Sequence, residues 1–385
     1  MLSVVNCQRK ISSIKWSMAS IRELLVFVFC LLTFSFGRQV IAITLSDEIE
    51  ISGGLSFVTQ RASKTFDESG RQKQNARADL ELVFSPAVRH SFLAHVRMSD
   101  GNGIDVGSIS SVNAVVPGDE DDFDKPVLLQ GFYRFISDHH FHLTLGQMDP
   151  YAFFDTNNFA DDETSTFMNL SFIHNPLLDV GGDLNPGTYG GTPGAHIQKN
   201  FNSSDQSISL SFGFFGSGYG ADFKGSVKNR VTLSQVDWEH SKETDKHGHY
   251  RVYYWDRNQG TDVDGVTEMP RAAGIGISLG QMVTKHLGIF SRYGESLDNQ
   301  TAEGIDNALT AGLSISGGLW GRGDDQLGLA SGTVNMYADD DEDLSEIFYR
   351  LSISEHLSLT PSWQRVEFSS GSSVEIVTLR ALLAF

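Results

Sequence analysis

The stretch Ala76-Arg77-Ala78-Asp79-Leu80-Glu81-Leu82-Val83-Phe84 decides the fold. Its even positions are apolar and its odd positions mostly charged. That two-residue period puts Arg77, Asp79 and Glu81 on one face of a strand and Leu80, Leu82 and Phe84 on the other. The same alternation recurs down the chain. Phe92, Ala94, Val96 and Met98 alternate with Leu93, His95 and Arg97, and Tyr133 and Phe135 flank Arg134. Phe141, Leu143 and Leu145 alternate with His140, His142 and Thr144. Leu287, Ile289 and Tyr293 share a face opposite Arg292, and Ile347, Tyr349, Leu351 and Ile353 oppose Glu346, Arg350, Ser352 and Ser354. In the last segment Val377, Leu379, Ala381, Leu383 and Phe385 form one apolar face that ends on an aromatic residue.

A soluble β-sandwich alternates as well, with its apolar face inward. Spacing separates the two architectures. Runs of about ten residues are joined alternately by short links (85–90, 137–138, 202–205, 283–285, 355–356) and long ones (60–75, 100–126, 149–194, 216–229, 257–270, 295–307), the pattern of an outer-membrane barrel. The expected fold is therefore all-β, a transmembrane antiparallel barrel of about sixteen strands over residues 43–385.

Composition agrees with that reading. The 385 residues carry a net charge of −19, which disfavours nucleic acid as a partner. The 38 glycines are scattered, as tight turns and crowded strands require. Residues 1–42 read as a signal peptide: Arg9, Lys10, Lys15 and Arg22 precede an apolar run from Leu24 to Phe36, and Val40-Ile41-Ala42 offers a cleavage site. Met18 is an alternative start to Met1. The run is shorter than the roughly 20 residues of a helical span. Both cysteines, Cys7 and Cys30, fall in this leader, so the mature chain crosses an oxidising compartment without disulfides.

The longest link, 149–194, is of a length that in compact proteins is usually functional. Within it, Asp161-Asp162-Glu163-Thr164-Ser165-Thr166-Phe167-Met168 reads as the start of a short helix with acids at its N-terminus, in a loop that folds into the barrel and narrows it. On the wall, alternation places Arg77, Arg97, Arg134, Arg292, Arg350 and Arg380, with Asp79, Glu81 and Glu346, on the polar face. An arginine near the midplane of the lipid face costs roughly 2–4 kcal/mol, so the lumen is their expected home.

The segment Gly146-Gln147-Met148-Asp149, followed by Phe153-Phe154-Asp155-Thr156-Asn157, Ala160-Asp161-Asp162-Glu163-Thr164, Phe167 and Phe172, resembles the OprB-type carbohydrate-selective porin family. Asp161 stands where that family usually has asparagine. Further resemblance lies in Gly321-Arg322-Gly323-Asp324-Asp325-Gln326-Leu327-Gly328, Glu346-Ile347-Phe348-Tyr349-Arg350, Leu359-Thr360-Pro361-Ser362-Trp363-Gln364, and Leu379-Arg380 with the terminal phenylalanine. The resemblance implies a sixteen-stranded barrel with a constricted, water-filled pore permeable to sugars, set in the bacterial outer membrane.

For such a channel the wall arginines form an expected ladder facing Asp155, Asn157, Asp161, Asp162 and Glu163 of the inward loop, since guanidinium groups fork onto paired sugar hydroxyls. The alternative is that these acids only cap and brace the loop. Phe132, Tyr253, Trp255 and Phe290 are candidates for an inward stacking track, with Trp320 and Trp363 assigned to the interfacial girdle. Expected partners are sugars and ions in transit, outer-membrane lipid and lipopolysaccharide, and the barrel-assembly machinery that reads the terminal strand; monomer and homotrimer both stay open. No cofactor or metal is expected. His140 with His142, and His247 with His249, have the spacing to share a strand face but lack further ligands. The runs Asp119-Glu120-Asp121-Asp122 and Asp339-Asp340-Asp341-Glu342-Asp343 read as solvated connections. Gly276-Ile277-Ser278-Leu279-Gly280 matches a nucleophile-elbow pattern but sits mid-strand, where no elbow forms. The competing readings are a porin without sugar preference, an outer-membrane lipid-modifying enzyme, and a secreted glycan-binding sandwich.

Overall fold

The computed structural model describes residues 43–46, 48–64, 71–104, 106, 111–115, 126–178, 191–218, 229–240, 245–261, 265–298 and 304–385. The expected leader, 1–42, and the acidic run 119–122 lie outside these residues.

Sixteen long strands run in sequence: β1 (Ile49–Ala62), β2 (Gln72–Ala87), β3 (His90–Gly101), β4 (Val127–Ile136), β5 (Phe141–Met148), β6 (Thr192–Asn202), β7 (Gln206–Gly216) and β8 (Arg230–His240). The second half comprises β9 (Gly248–Arg257), β10 (Ala272–Thr284), β11 (Leu287–Ser296), β12 (Ile305–Ser316), β13 (Gln326–Met336), β14 (Glu342–Ser352), β15 (Leu357–Phe368) and β16 (Ser373–Ala384). Each pairs antiparallel with its sequence neighbours, and β16 returns to β1 in the register Leu383↔Leu55 and Thr378↔Gln60. Backbone bonds in both directions between Gly53 and Phe385 (2.9 Å each) complete that seam. Closure leaves no strand edge to be satisfied by lipid. A short strand Ile43–Ser46 precedes β1 in the chain, and a two-residue pairing, Gly260–Thr261 with Glu268–Met269, decorates the link between β9 and β10.

The expected parity of the side chains holds. In β2, Leu80 is 47% exposed and Leu82 39%, whereas Arg77 is 6% exposed. Val377 and Leu379 of the last strand are likewise exposed outward. Aromatic residues cluster at the short-turn end: Phe92 with Tyr133 (5.2 Å), Trp238 with Tyr250 (5.3 Å) and Trp320 with Tyr349 (6.0 Å). Such a band lies where ring and polar tip meet a membrane surface.

The interior differs from a uniformly polar lumen. Ile305, Ala308, Val334, Leu344, Val366, Val374 and Ile376 of β12–β16 are buried against Phe167, Phe172, Ile173 and Leu177 from the long loop. A second cluster joins Phe132, Phe215, Val231, Leu233, Tyr253 and Trp255 to Phe154 and Leu178. The half of the interior towards the long connections is thus partly filled with apolar side chains. The four expected stacking aromatics, Phe132, Tyr253, Trp255 and Phe290, do face inward, but they are buried in this packing and form no open track.

Glycine makes that packing feasible. Tyr253 pairs with Gly276 in register and its ring lies across it; a Cβ on Gly276 would stand 2.1 Å from the ring. Phe348 covers Gly328 in the same way. Close approach of this kind is a recurrent reason for glycine inside strands.

Two further expectations are corrected. The helix foreseen from Asp161 does not form there: residues 163–165 make a turn, and the loop's only described α-helix is Leu170–Ile173, capped by Asn169. The acidic run at 339–343 is not wholly a connection, because Glu342 and Asp343 begin β14 and Glu342 is buried.

Candidate functional site

The long loop, which leaves β5 at Met148 and re-enters at β6, is tied to the inner wall by residues from both sides of the barrel. Arg292 of β11, 1% exposed, donates from Nε to Asp155 Oδ2 (3.0 Å), from Nη1 to the Phe172 carbonyl (2.6 Å) and from Nη2 to the Asp155 carbonyl (3.1 Å). Its ion pair to Asp161 is longer, 3.5 Å. Asp155 is fully buried and also accepts from the Asn175 amide (2.7 Å) and the Tyr253 hydroxyl (3.1 Å). Its backbone is left-handed at φ 60, a region aspartate tolerates better than most side chains but which still carries strain. Residues held in this way are over-determined by their surroundings, and here those surroundings are Arg292, Asn175 and Tyr253.

Asn157 anchors the next turn, donating to Ser278 Oγ (3.2 Å) and the Leu279 carbonyl (3.0 Å) of β10. Ser278, the serine of the elbow-like pattern, is mid-strand and donates to the Thr156 carbonyl (3.2 Å). Arg251 of β9, which the sequence reading did not single out, bonds the same carbonyl and Asp237. It stands on the polar side of Val252 and Tyr254, so alternation alone would have found it.

On the opposite wall Arg77 pairs with Asp79 (2.5 Å) and with Glu163. Arg97 adds contacts to Asp79 (2.8 Å) and Glu163 (3.8 Å). Arg380 of β16 donates to the Glu163 carbonyl (2.5 Å) and the Thr166 carbonyl (2.9 Å). Glu346 of β14 accepts from the amides of Met168 and Asn169, both at 2.9 Å. Burial works against the charge on Glu163, but Arg77 and Arg97 outweigh it and hold the carboxyl at about 2. Burial, reinforced by Arg292, pushes His174 of the same loop down to about 4, so it is neutral at pH 7. Asp162 caps the turn it opens, accepting from the Thr164 amide (2.8 Å) and hydroxyl (2.7 Å).

The expected ladder therefore divides. Arg77, Arg97, Arg292 and Arg380 are brought together with the loop, while Arg134 and Arg350 make no ion pair among the described residues. Arg134 lies over the rings of Phe132 (5.3 Å) and Phe153 (6.0 Å). Arg350 borders a cavity of about 810 Å³ at the short-turn end, shared with Asp324, Gln326, Glu355, His286 and Phe159. A smaller cavity, about 340 Å³, lies beside the closing seam and reaches Arg77, Asp79, Glu81, His95 and Asp162. Of the paired histidines, His247 contacts Glu239 (2.9 Å) and His249 contacts Asp237 (2.5 Å), whereas His140 sits in a turn at φ 56.

A second segment also enters the barrel, one that reads in sequence as a plain connection although it is rich in isoleucine and valine. Ile104, Val106, Val112 and Ala114, from the link after β3, are buried with the long loop's core. The Ala114 amide donates to the Met168 carbonyl and the Leu170 amide to the Ser111 carbonyl, each at 2.9 Å.

The family model described as carbohydrate-selective porin, OprB family, matches residues 63–367. Among solved structures, the high-pH structure of Pseudomonas putida OprB aligns at 15% identity over 89% of this chain and 95% of that one, with a TM-score of 0.72. The low-pH structure of the same protein gives 10% identity, 89% and 94% coverage and a TM-score of 0.55. A variant of the Rhodopseudomonas blastica porin gives 11% identity, 88% and 100% coverage and a TM-score of 0.53. At these identities the likeness is one of fold. No curated protein sequence matches the chain.

Proposed function

The chain belongs to the OprB family of carbohydrate-selective porins, and on that premise we propose how its lumen passes solute. Family and fold indicate an outer-membrane channel for diffusion of sugars rather than an enzyme. Passage needs a hydrated path, a constriction, and charges that shape the field there. In our reading residues 149–178 of the long loop make the constriction, and Arg77, Arg97, Arg292 and Arg380 fix it in place together with Asp155, Asn157 and Glu163. Arg134 and Arg350 then act on the solute, with Asp162 at the margin of the loop. A guanidinium without a carboxylate partner keeps its donors for solute hydroxyls, whereas one buried in an ion pair has spent them.

The observation that carries this division is the contrast in partners between Arg292, fully engaged by the loop, and Arg350, bordering the large cavity with no ion pair among the described residues. Small ions follow the same path. The terminal strand with Phe385 is the segment the barrel-assembly machinery would read, and the outer rim faces lipopolysaccharide; the channel works as a monomer or as a homotrimer.

The test is single-channel recording in planar bilayers with sugars added to either side. Stepwise conductance that sugars reduce is expected. Conductance indifferent to every sugar would leave a general porin, and no conductance would end the channel reading.

A further inference from the structure

The inner wall carries two glutamines that alternation does not distinguish from any other polar residue. Gln60 of β1 and Gln364 of β15 are buried, at 1% and 0% exposure. They are carried on strands separated by β16, and their side-chain amides converge on a single atom: both Nε2 groups donate to the Val112 carbonyl, at 3.1 and 2.9 Å. Gln60 also accepts from the Ile104 amide at Oε1 (3.2 Å) and reaches Thr378 Oγ1 of the intervening strand (3.3 Å). Arg77 donates to the Val115 carbonyl (3.3 Å) while pairing with Glu163 of the other loop.

A buried carbonyl in an irregular segment has no ladder partner and needs a donor from elsewhere. Here the wall supplies them. The segment so held supplies the Ser111 carbonyl and the Ala114 amide that bond the long loop at Leu170 and Met168. The linkage runs from wall to first segment to constriction loop.

We propose that Gln60 and Gln364 are positioning residues of the channel: by clamping the Val112 carbonyl they hold residues 111–115, together with Ile104 and Val106, against the constriction loop, and so set the height and width of the narrow zone. The proposal rests on the channel reading but not on sugar preference. Solute touches neither glutamine. Leucine is close to glutamine in volume and cannot donate, so Gln60→Leu with Gln364→Leu removes the clamp and leaves the strand ladders intact.

The experiment compares the wild-type chain with the double variant in planar bilayers, with liposome swelling in a series of sugars of rising size. Expected is a rise in conductance of roughly two-fold, as the freed segment widens the path, and entry of sugars the wild type excludes. Each single variant should give an intermediate rise. A second variant guards against misfolding: replacing residues 102–126 by a short Gly-Ser turn keeps every strand and should raise conductance at least as far. If folded barrels of both kinds keep the wild-type conductance and size limit, the inference is wrong. If the wild type itself conducts nothing, the channel reading fails instead, and the two failures are told apart by that control.

Discussion

Arg292 and Arg350 occupy equivalent places in the sequence and opposite situations in the barrel. Each stands on the polar face of an alternating strand, Arg292 between Ser291 and Tyr293 and Arg350 between Tyr349 and Leu351 of the other face. Arg292 lies at mid-strand, in register with Ser278 and Thr310, and meets the loop at Asp155 and Phe172. Arg350 pairs in register with Gln326 near the short-turn end of β14 and borders open space. Parity fixes which face a side chain takes; height along the strand fixes whether it meets the loop or the solute. The first is a property of two neighbouring residues and the second of the whole barrel.

The largest effect should follow from removing Arg292. Arg292→Ala leaves Asp155 buried and without its ion pair, and breaking a buried pair on one side costs roughly 3–5 kcal/mol. The loop should detach from β11, with a lower unfolding temperature of the barrel on heat-modifiability gels and a higher, noisier conductance. Unchanged conductance and stability would mean that the loop is held elsewhere. Next in size is Gly276→Ala, whose Cβ would collide with the Tyr253 ring and push its hydroxyl away from Asp155. Overpacking of this kind costs roughly 1–3 kcal/mol, so thermal unfolding should drop by less than for Arg292→Ala. A variant as stable as wild type would show that the ring has room to move.

Much of this architecture is legible in the sequence. The run 76–84 alone gives the parity of β2, and the alternation of short and long links gives antiparallel closure and the strand number. The link 149–194 announces an inward loop by its length. What stays hidden is whatever depends on three-dimensional height. The buried fate of Tyr253 and Trp255 depends on the loop covering them, which no local pattern encodes. The inward course of Ile104 and residues 111–115 depends on Gln60 and Gln364, separated by 304 positions in a chain where either could face water. The helix expected from Asp161 yields to a turn because Asp162 satisfies local donors itself, a competition short polar side chains often win.

Acid should loosen the Glu163 anchor only at an extreme. Glu163 is held at about 2 by Arg77 and Arg97, below the roughly 4.3 of an unperturbed glutamate. A carboxyl so depressed contributes its stabilisation in full above its unfolded value and loses it as pH falls through about 2. Conductance recorded from pH 7 to pH 5 should stay level as far as this anchor is concerned, and rise below about pH 3. Glu163→Gln should bring the rise to neutral pH. A wild-type conductance that climbs between pH 7 and 5 while the Gln variant follows the same curve would remove Glu163 as the anchor.

The smallest effect on the fold, and the most telling for the comparison, belongs to Arg350. Among the described residues it makes no ion pair, so Arg350→Ala should change barrel stability by no more than about 0.5 kcal/mol. Its loss removes a positive charge from a cavity that retains Asp324 and Glu355, so the reversal potential under a salt gradient should move toward cation selectivity, and sugar block should weaken. Arg134→Ala should act in the same direction, because its guanidinium lies over two rings and has no ion-paired carboxylate among the described residues. Arg292→Ala and Arg350→Ala thus make a crossed pair, one moving stability and the other selectivity. If both variants lowered stability alike, or if the Arg350 variant kept the wild-type reversal potential, the separation of anchoring from solute-facing arginines would collapse.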